Sequence, residues 1–221
     1  MNIVTVHNLK KYFGKGETQV KALDGVDLEI EKGKFTAIIG ASGSGKTTLL
    51  NMMGGMDVPD EGEVVVDGVN LRGLKEKELA VFRRSKVGFV YQNFNLVSTL
   101  TVKENILFPL SLAGSTPDPV FFAEIVELLR LKDRLDAFPG ELSGGGQQRV
   151  AIARALIAKP AILLADEPTG NLDSKTGQNV LGLLKLSVET YRQTLVMITH
   201  NLELAQMADR VVRMEDGRIC G

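Results

Sequence analysis

Gly40-Ala41-Ser42-Gly43-Ser44-Gly45-Lys46-Thr47 follows an apolar run, Phe35 to Ile39, and leads into Thr48 to Met53. The run reads as a buried strand and the segment after the turn as a helix. In that context this spacing makes a P-loop, a cradle for phosphate. Its glycines let backbone N–H groups converge on phosphate oxygens, and the helix start adds the positive end of its dipole. The pattern assigns Lys46 to the β- and γ-phosphates, the Thr47 hydroxyl to Mg²⁺, and the stretch from Gly40 to Thr48 to nucleotide binding.

The rest of the chain sets bounds on what surrounds this turn. Its 221 residues make one large domain or two small ones, with ample length for a core. Hydrophobic residues make up 44% and charged ones 24%, the mixture of an ordinary globular protein. A net charge of −1 argues against bulk nucleic-acid binding. Cys220 is the only cysteine, which excludes an internal disulfide framework and a cysteine zinc site. Met1 to Val6 runs directly into a strand-like alternation, so no signal peptide is expected. No apolar run approaches the roughly 18 residues of a membrane span.

Outward from the P-loop, alternation at Ile3 and Val6, then at Val26, Leu28 and Ile30, predicts N-terminal strands. Glu63 to Val66 and Lys86 to Tyr91 read as strands, with a helix over Leu74 to Arg84 between them. From about Asn93 to Lys159 the pattern is helical, in pieces broken by Pro109, Gly114, Pro117, Pro119, Pro139 and Gly140. Strands are expected again at Ala161 to Ala165, Thr194 to Thr199 and Arg210 to Met214. Helices over Ser174 to Tyr191 and Leu202 to Ala208 separate them. Strands alternating with helices predict an α/β fold with a mostly parallel sheet. The helical stretch 93–159 reads as a subdomain inserted into a single domain spanning 1–221.

Ile162-Leu163-Leu164-Ala165-Asp166-Glu167 is the second strong motif. A buried strand ends in paired carboxylates, where ligands of open α/β sheets bind. Asp166 is positioned to hold Mg²⁺ through its water shell, and Glu167 to polarise the attacking water.

Leu142-Ser143-Gly144-Gly145-Gly146-Gln147-Gln148-Arg149 then precedes a helix running to Ala158. This resembles the signature motif of ABC-type ATPases, and the resemblance extends over almost the whole chain in the family's order. Lys11-Tyr12-Phe13-Gly14 looks like the A-loop, with Phe13 as the adenine-stacking ring and Tyr12 as the alternative. Gln92 matches the Q-loop glutamine, Asn171-Leu172-Asp173 the D-loop, and His200 the H-loop histidine. The resemblance implies a P-loop NTPase (RecA-like) core with an N-terminal antiparallel β subdomain and an inserted α-helical subdomain. It implies ATP and Mg²⁺ as cofactors, with Thr47, Gln92 and Asp166 on the metal and Glu167, His200 and Lys46 in catalysis. It further implies an ATP-bound homodimer in which Leu142 to Gln147 close on the γ-phosphate held by the other subunit.

One position departs from the family's pattern, since Gly146 stands where Gln or Glu is usual. Glycine in a first helical turn costs about 0.5–1 kcal/mol relative to a better helix former, so weaker or slower dimer closure is expected. Leu164 to Asp173, Gly88 to Leu96 and Leu100 to Ile106 are similar to the group that drives macrolide efflux, lipoprotein release and peptide-antibiotic resistance. Such ATPases work with an integral-membrane permease at the cytoplasmic face, touching the membrane only through it. Phe94 to Leu110 is expected either to receive that permease or to be core. Arg83, Arg84 and Lys86 read as a solvated helix end, or as a basic patch near the membrane. Rival classes fit less well: chromosome-structuring ATPases need a long coiled coil, translation factors two P-loops, and P-loop kinases no signature. A divisome-type ATPase regulating cell-wall hydrolysis stands as a neighbouring alternative.

Overall fold

The computed structural model describes residues 1–220, the Glu17 side chain excepted. In chain order the strands and helices begin with β1 (Asn2–Phe13), β2 (Val20–Glu31), β3 (Phe35–Ile39), α1 (Lys46–Met53), β4 (Glu61–Val66), β5 (Val69–Asn70) and α2 (Glu76–Lys86). There follow β6 (Val87–Tyr91), α3 (Val102–Ala113), α4 (Pro119–Leu128), α5 (Gly144–Leu156), β7 (Ile162–Asp166) and α6 (Ser174–Tyr191). The chain ends with β8 (Thr194–Ile198), α7 (Leu202–Ala205), β9 (Arg210–Glu215) and β10 (Arg218–Ile219). Contacts divide these elements into two compact units, Met1–Arg83 with Thr194–Gly221, and Arg84–Gln193.

The first unit holds an antiparallel sheet in the order β2-β1-β4-β5. Its strands follow the period of two: Ile3, Val4, Val6 and Leu9 on β1, and Leu23, Val26, Leu28 and Ile30 on β2, are buried. The unit's other strands are parallel, with β3 between β8 and β9, and β10 antiparallel to β9. Here β3 and β8 are apolar almost throughout, as strands covered on both faces must be.

The second unit pairs β6 with β7 in parallel and packs α5 against β6 and against α3, α4 and α6. Helix α6 buries Val180, Leu181, Leu184 and Val188, one stripe at helical spacing. Each such side chain contributes about 1.5–3 kcal/mol on full burial.

Some sequence expectations shift. Pro109 does not break the helix but lies inside α3. A capping box, Thr101 with Glu104, fixes that helix's first turn, and Val102, Asn105 and Ile106 are buried, which offsets the lost hydrogen bond. Pro119 starts α4 at its first position, where its missing N–H costs nothing. Helix α7 stops at Ala205 because Met207 and Ala208 donate to carbonyls only three residues back, tightening the last turn. Of the basic residues near α2, Arg83 pairs with Glu76 and donates to the Gly55 carbonyl, while Arg84 donates to Leu112. These arginines therefore anchor the helix end. The Phe94 to Leu110 segment divides: Val102 and Ile106 are core, whereas Phe94, Leu96, Leu107 and Phe108 are half-buried.

Candidate active site

In the first unit, β3 delivers the chain into the P-loop and α1 begins at Lys46, two residues earlier than the sequence pattern predicts. Gly45 stands at the helix cap with φ 98° and makes no side-chain cap hydrogen bond, so the cap itself places no side chain over the first turn of α1. A Cβ on Gly45 would lie 2.1 Å from the Ala22 carbonyl oxygen, and one on Gly40 would lie 2.1 Å from that of Met214. The cradle is thus bounded by main chain, which cannot yield to a larger residue. Ala41, Ser42, Gly43 and Thr47 are exposed, Thr48 is half-buried and Ser44 is buried. Lys46 is only 7% exposed. Its ammonium donates to the carbonyls of Gly40 (2.9 Å) and Ala41 (2.7 Å) and to the Ser44 hydroxyl (3.3 Å). An incoming phosphate must compete with those oxygens for the same three donors.

His200 lies two residues past β8. Because β8 runs parallel to β3 with Ile38 opposite Ile198, His200 and the P-loop leave the same end of the sheet. Thr199 donates its N–H to the Ile38 carbonyl, and its hydroxyl accepts from Asn201, which fixes the turn bearing the histidine. Of the A-loop aromatics, Tyr12 is committed elsewhere. Its hydroxyl donates to Asp24 (3.0 Å), and Lys21 sits over its ring. Burial, then the Asp24 carboxylate, raise the phenol's pKa, while Arg218 and then Tyr12 hold the Asp24 carboxyl low. The Phe13 ring is 46% exposed, with the Lys11 ammonium over one face.

In the second unit, β6 and β7 end together, with Tyr91 opposite Asp166. Gln92 follows one strand and Glu167, at φ 47°, follows the other. Asp166 and Glu167 are half-buried and Gln92 is exposed. Asn171 holds Gln92 from both ends: it accepts from the Gln92 amide nitrogen (2.9 Å) and donates to the Gln92 carbonyl (3.2 Å) and to the Asn93 side chain (2.8 Å). Gly170 permits this, since a Cβ there would lie 2.7 Å from that amide nitrogen. Asp173 caps α6 by accepting from the Thr176 N–H, and its hydrogen bonds to Thr176 keep the carboxyl low. Leu172 packs toward Gly144.

The signature residues straddle a helix start: Leu142 and Ser143 lie before α5, and Gly144 onward lie inside it. Ser143 is the cap of α5, its hydroxyl accepting from the Gly146 N–H (3.3 Å), and Gly144 to Gln147 form the first turn. Gln147 donates back to the Leu142 carbonyl. A Cβ on Gly145 would meet the Thr176 methyl at 2.5 Å, so this glycine sets how closely α5 and α6 approach. Gly146 has no such constraint from its backbone, and a Cβ there meets Leu142 at 3.2 Å. The sequence pattern gave no sign of the packing role of Gly145, the Asn171–Gln92 pairing or the seat of Arg154, described below. An arginine inside the aliphatic run Val150 to Leu156 is the signal that was available for the last.

The donors offered for a divalent cation, the Thr47 hydroxyl, Asp166 carboxylate and Gln92 amide oxygen, are hard oxygens of the kind that suit Mg²⁺. Among the described residues no cluster of His, Cys, Asp and Glu could hold a metal without further help.

The ABC transporter family matches residues 23–170. LolD 2 of Chlorobaculum tepidum, a lipoprotein-releasing system ATP-binding protein, is 48% identical over 96% of this chain and 90% of its own length. BceA of Halalkalibacterium halodurans, a bacitracin export ATP-binding protein, is 43% identical over 99% of this chain and 87% of its own. Among solved structures, the ATP-binding cassette MJ0796, in a dimeric post-hydrolysis state bound to ADP and Pi, gives a TM-score of 0.87 at 41% identity. That match covers 98% of this chain and 96% of MJ0796. With the P-loop and strand-end carboxylates placed as above, this likeness along nearly the whole length is decisive: the chain belongs to the ABC transporter family, as an ATP-hydrolysing cassette with the P-loop NTPase fold.

Proposed function

We propose that the chain powers a separate integral-membrane permease that exports or confers resistance to antimicrobial peptides or macrolides, and that it does so by ATP-driven closure of a homodimer at the cytoplasmic face. The likeness to BceA over 99% of the chain carries this reading. The dimeric state of MJ0796 supports closure as a pair. No helix among the described residues is long and apolar enough to cross a membrane, which fits a cassette that reaches the bilayer through its partner. The higher identity to LolD 2 supports a second reading, lipoprotein release, with the same ATP chemistry.

In this reading Phe13 stacks on adenine and the amides of Gly40 to Thr48 bind the phosphates. Lys46 leaves its loop carbonyls for the β- and γ-phosphoryl oxygens. Thr47, Asp166 and Gln92 hold Mg²⁺, which when bound neutralises phosphate charge. Glu167 orients and polarises the attacking water, while His200 stabilises charge on the γ-phosphoryl group. Ser143 and the first amides of α5 close on the nucleotide of the other subunit.

Co-expression with a candidate permease of the same genome tests the reading. A stable complex whose ATP hydrolysis rises with a peptide antibiotic or macrolide is expected. Stimulation by lipoprotein instead selects the second reading, and hydrolysis with no permease bound contradicts both.

A further inference from the structure

Arg154 sits where α5 otherwise buries aliphatic side chains from Val150 to Leu156. Burial depresses its pKa, with Tyr91 pulling the other way. Arg154 itself is half-buried, and a partly buried guanidinium carries a desolvation cost and persists where it makes good hydrogen bonds. Here its fork grips consecutive main-chain oxygens, Nη1 donating to Asn95 (2.5 Å) and Nη2 to Phe94 (2.8 Å). Both gripped residues are left-handed, Phe94 at φ 60° and Asn95 at φ 48°. Two such residues in succession cost roughly 1–3 kcal/mol each and need support from their surroundings. This turn begins directly after Gln92 and Asn93, which Asn171 holds from the other side.

We infer that Arg154 is a positioning residue for the Q-loop: its fork holds the Phe94–Asn95 turn in shape and so fixes the main chain that presents Gln92. It does this from the helix that Ser143 caps, so the signature motif and the Q-loop move as one piece of the second unit. The clamp stands on geometry, and its catalytic consequence rests on reading Gln92 as a metal-side ligand. Lysine cannot replace it fully, because a single ammonium lacks the planar fork that spans adjacent carbonyls.

The test uses the full chain as Arg154→Lys and Arg154→Met, with amide hydrogen exchange and ATP hydrolysis titrated with Mg²⁺. The amides of Phe94 and Asn95 donate to Tyr91 and Asn93, so they report the turn directly. Their exchange should accelerate about tenfold in Arg154→Met and less in Arg154→Lys, while amides of β7 and α6 keep their rates. The Mg²⁺ concentration for half-maximal hydrolysis should rise roughly tenfold in Arg154→Met, with partial rescue in Arg154→Lys and no further rise when combined with Gln92→Ala. Unchanged exchange at Phe94 and Asn95, or acceleration throughout the unit, overturns the clamp. Local acceleration with an unmoved Mg²⁺ requirement, where Gln92→Ala does move it, overturns the positioning role. If Gln92→Ala itself leaves the Mg²⁺ requirement unmoved, the metal reading of Gln92 fails and the exchange result alone decides the clamp. Should Arg154→Met fail to fold, Arg154→Lys carries the same comparisons.

Discussion

The P-loop and the start of α5 are both glycine-rich turns opening a helix, yet they hold glycine for different reasons. Gly40 and Gly45 lie against main-chain carbonyls, and Gly45 has a positive φ as well. Gly144, Gly145 and Gly146 are helical, and what crowds them is side chain: Leu172, Thr176 and Leu142. The helix starts differ too. Gly45 supplies no side-chain cap to α1, whereas the Ser143 hydroxyl engages the Gly146 amide. A cradle bounded by backbone admits no substitution; a turn bounded by side chains admits paired ones.

The sharpest way to break this contrast is Gly45→Ala. With the Ala22 carbonyl 2.1 Å away, the variant should lose more than about 3 kcal/mol and its ATP binding, read by thermal melting and calorimetric titration. Near-parental binding would mean that the loop can open. Gly145→Ala should cost less, about 1–3 kcal/mol of overpacking, or roughly 2–4 °C of melting temperature per kcal/mol. Adding Thr176→Ser removes the methyl it strikes and should restore most of the loss; a double variant as unstable as the single one would show that backbone is the obstacle. Gly146→Gln should go the other way. It gains about 0.5–1 kcal/mol of helix propensity and can reach back to the Ser143 N–H as a capping box. ATP hydrolysis should stay level or rise, and a clear fall would contradict the reading of this position.

A side-chain cap also carries a pH signature that an uncapped helix lacks. Asp118 caps α4, and Lys159, then the Phe121 N–H, hold its carboxyl below the ordinary value. A depressed carboxyl stabilises the fold above its unfolded pKa, about 3.9, and that stabilisation is lost as pH falls through the lower folded value. Asp118→Asn should therefore melt lower than the parent near neutral pH, with the gap closing below about pH 4. A gap independent of pH would assign the effect to packing.

Much of this was legible in the chain itself. An apolar run, glycines at fixed spacing and a lysine locate β3, the P-loop and α1, because each step has a local cause. Asp166 ends, and Glu167 follows, a strand of Ile, Leu and Ala that has no alternative to burial. At the start of α5 the first-turn place of Gly146 was legible, but the packing of Gly145 on α6, which with the Ser143 cap overrides poor glycine propensity, was not. Pro109 misled for a similar reason, since burial of Val102 and Ile106 outweighs a local breaker. The pairing of Gln92 with Asn171 spans 79 residues and leaves no periodic trace.

The central claim is that this cassette closes as a dimer on ATP and opens on hydrolysis. Light scattering on the Glu167→Gln chain, with and without MgATP, tests it most directly. The account predicts hydrolysis slowed at least about a hundredfold with ATP binding retained, and a mass rising from 24.0 kDa to twice that value only when ATP is present. A chain that binds ATP, stays at its monomer mass and hydrolyses at the parental rate would contradict it.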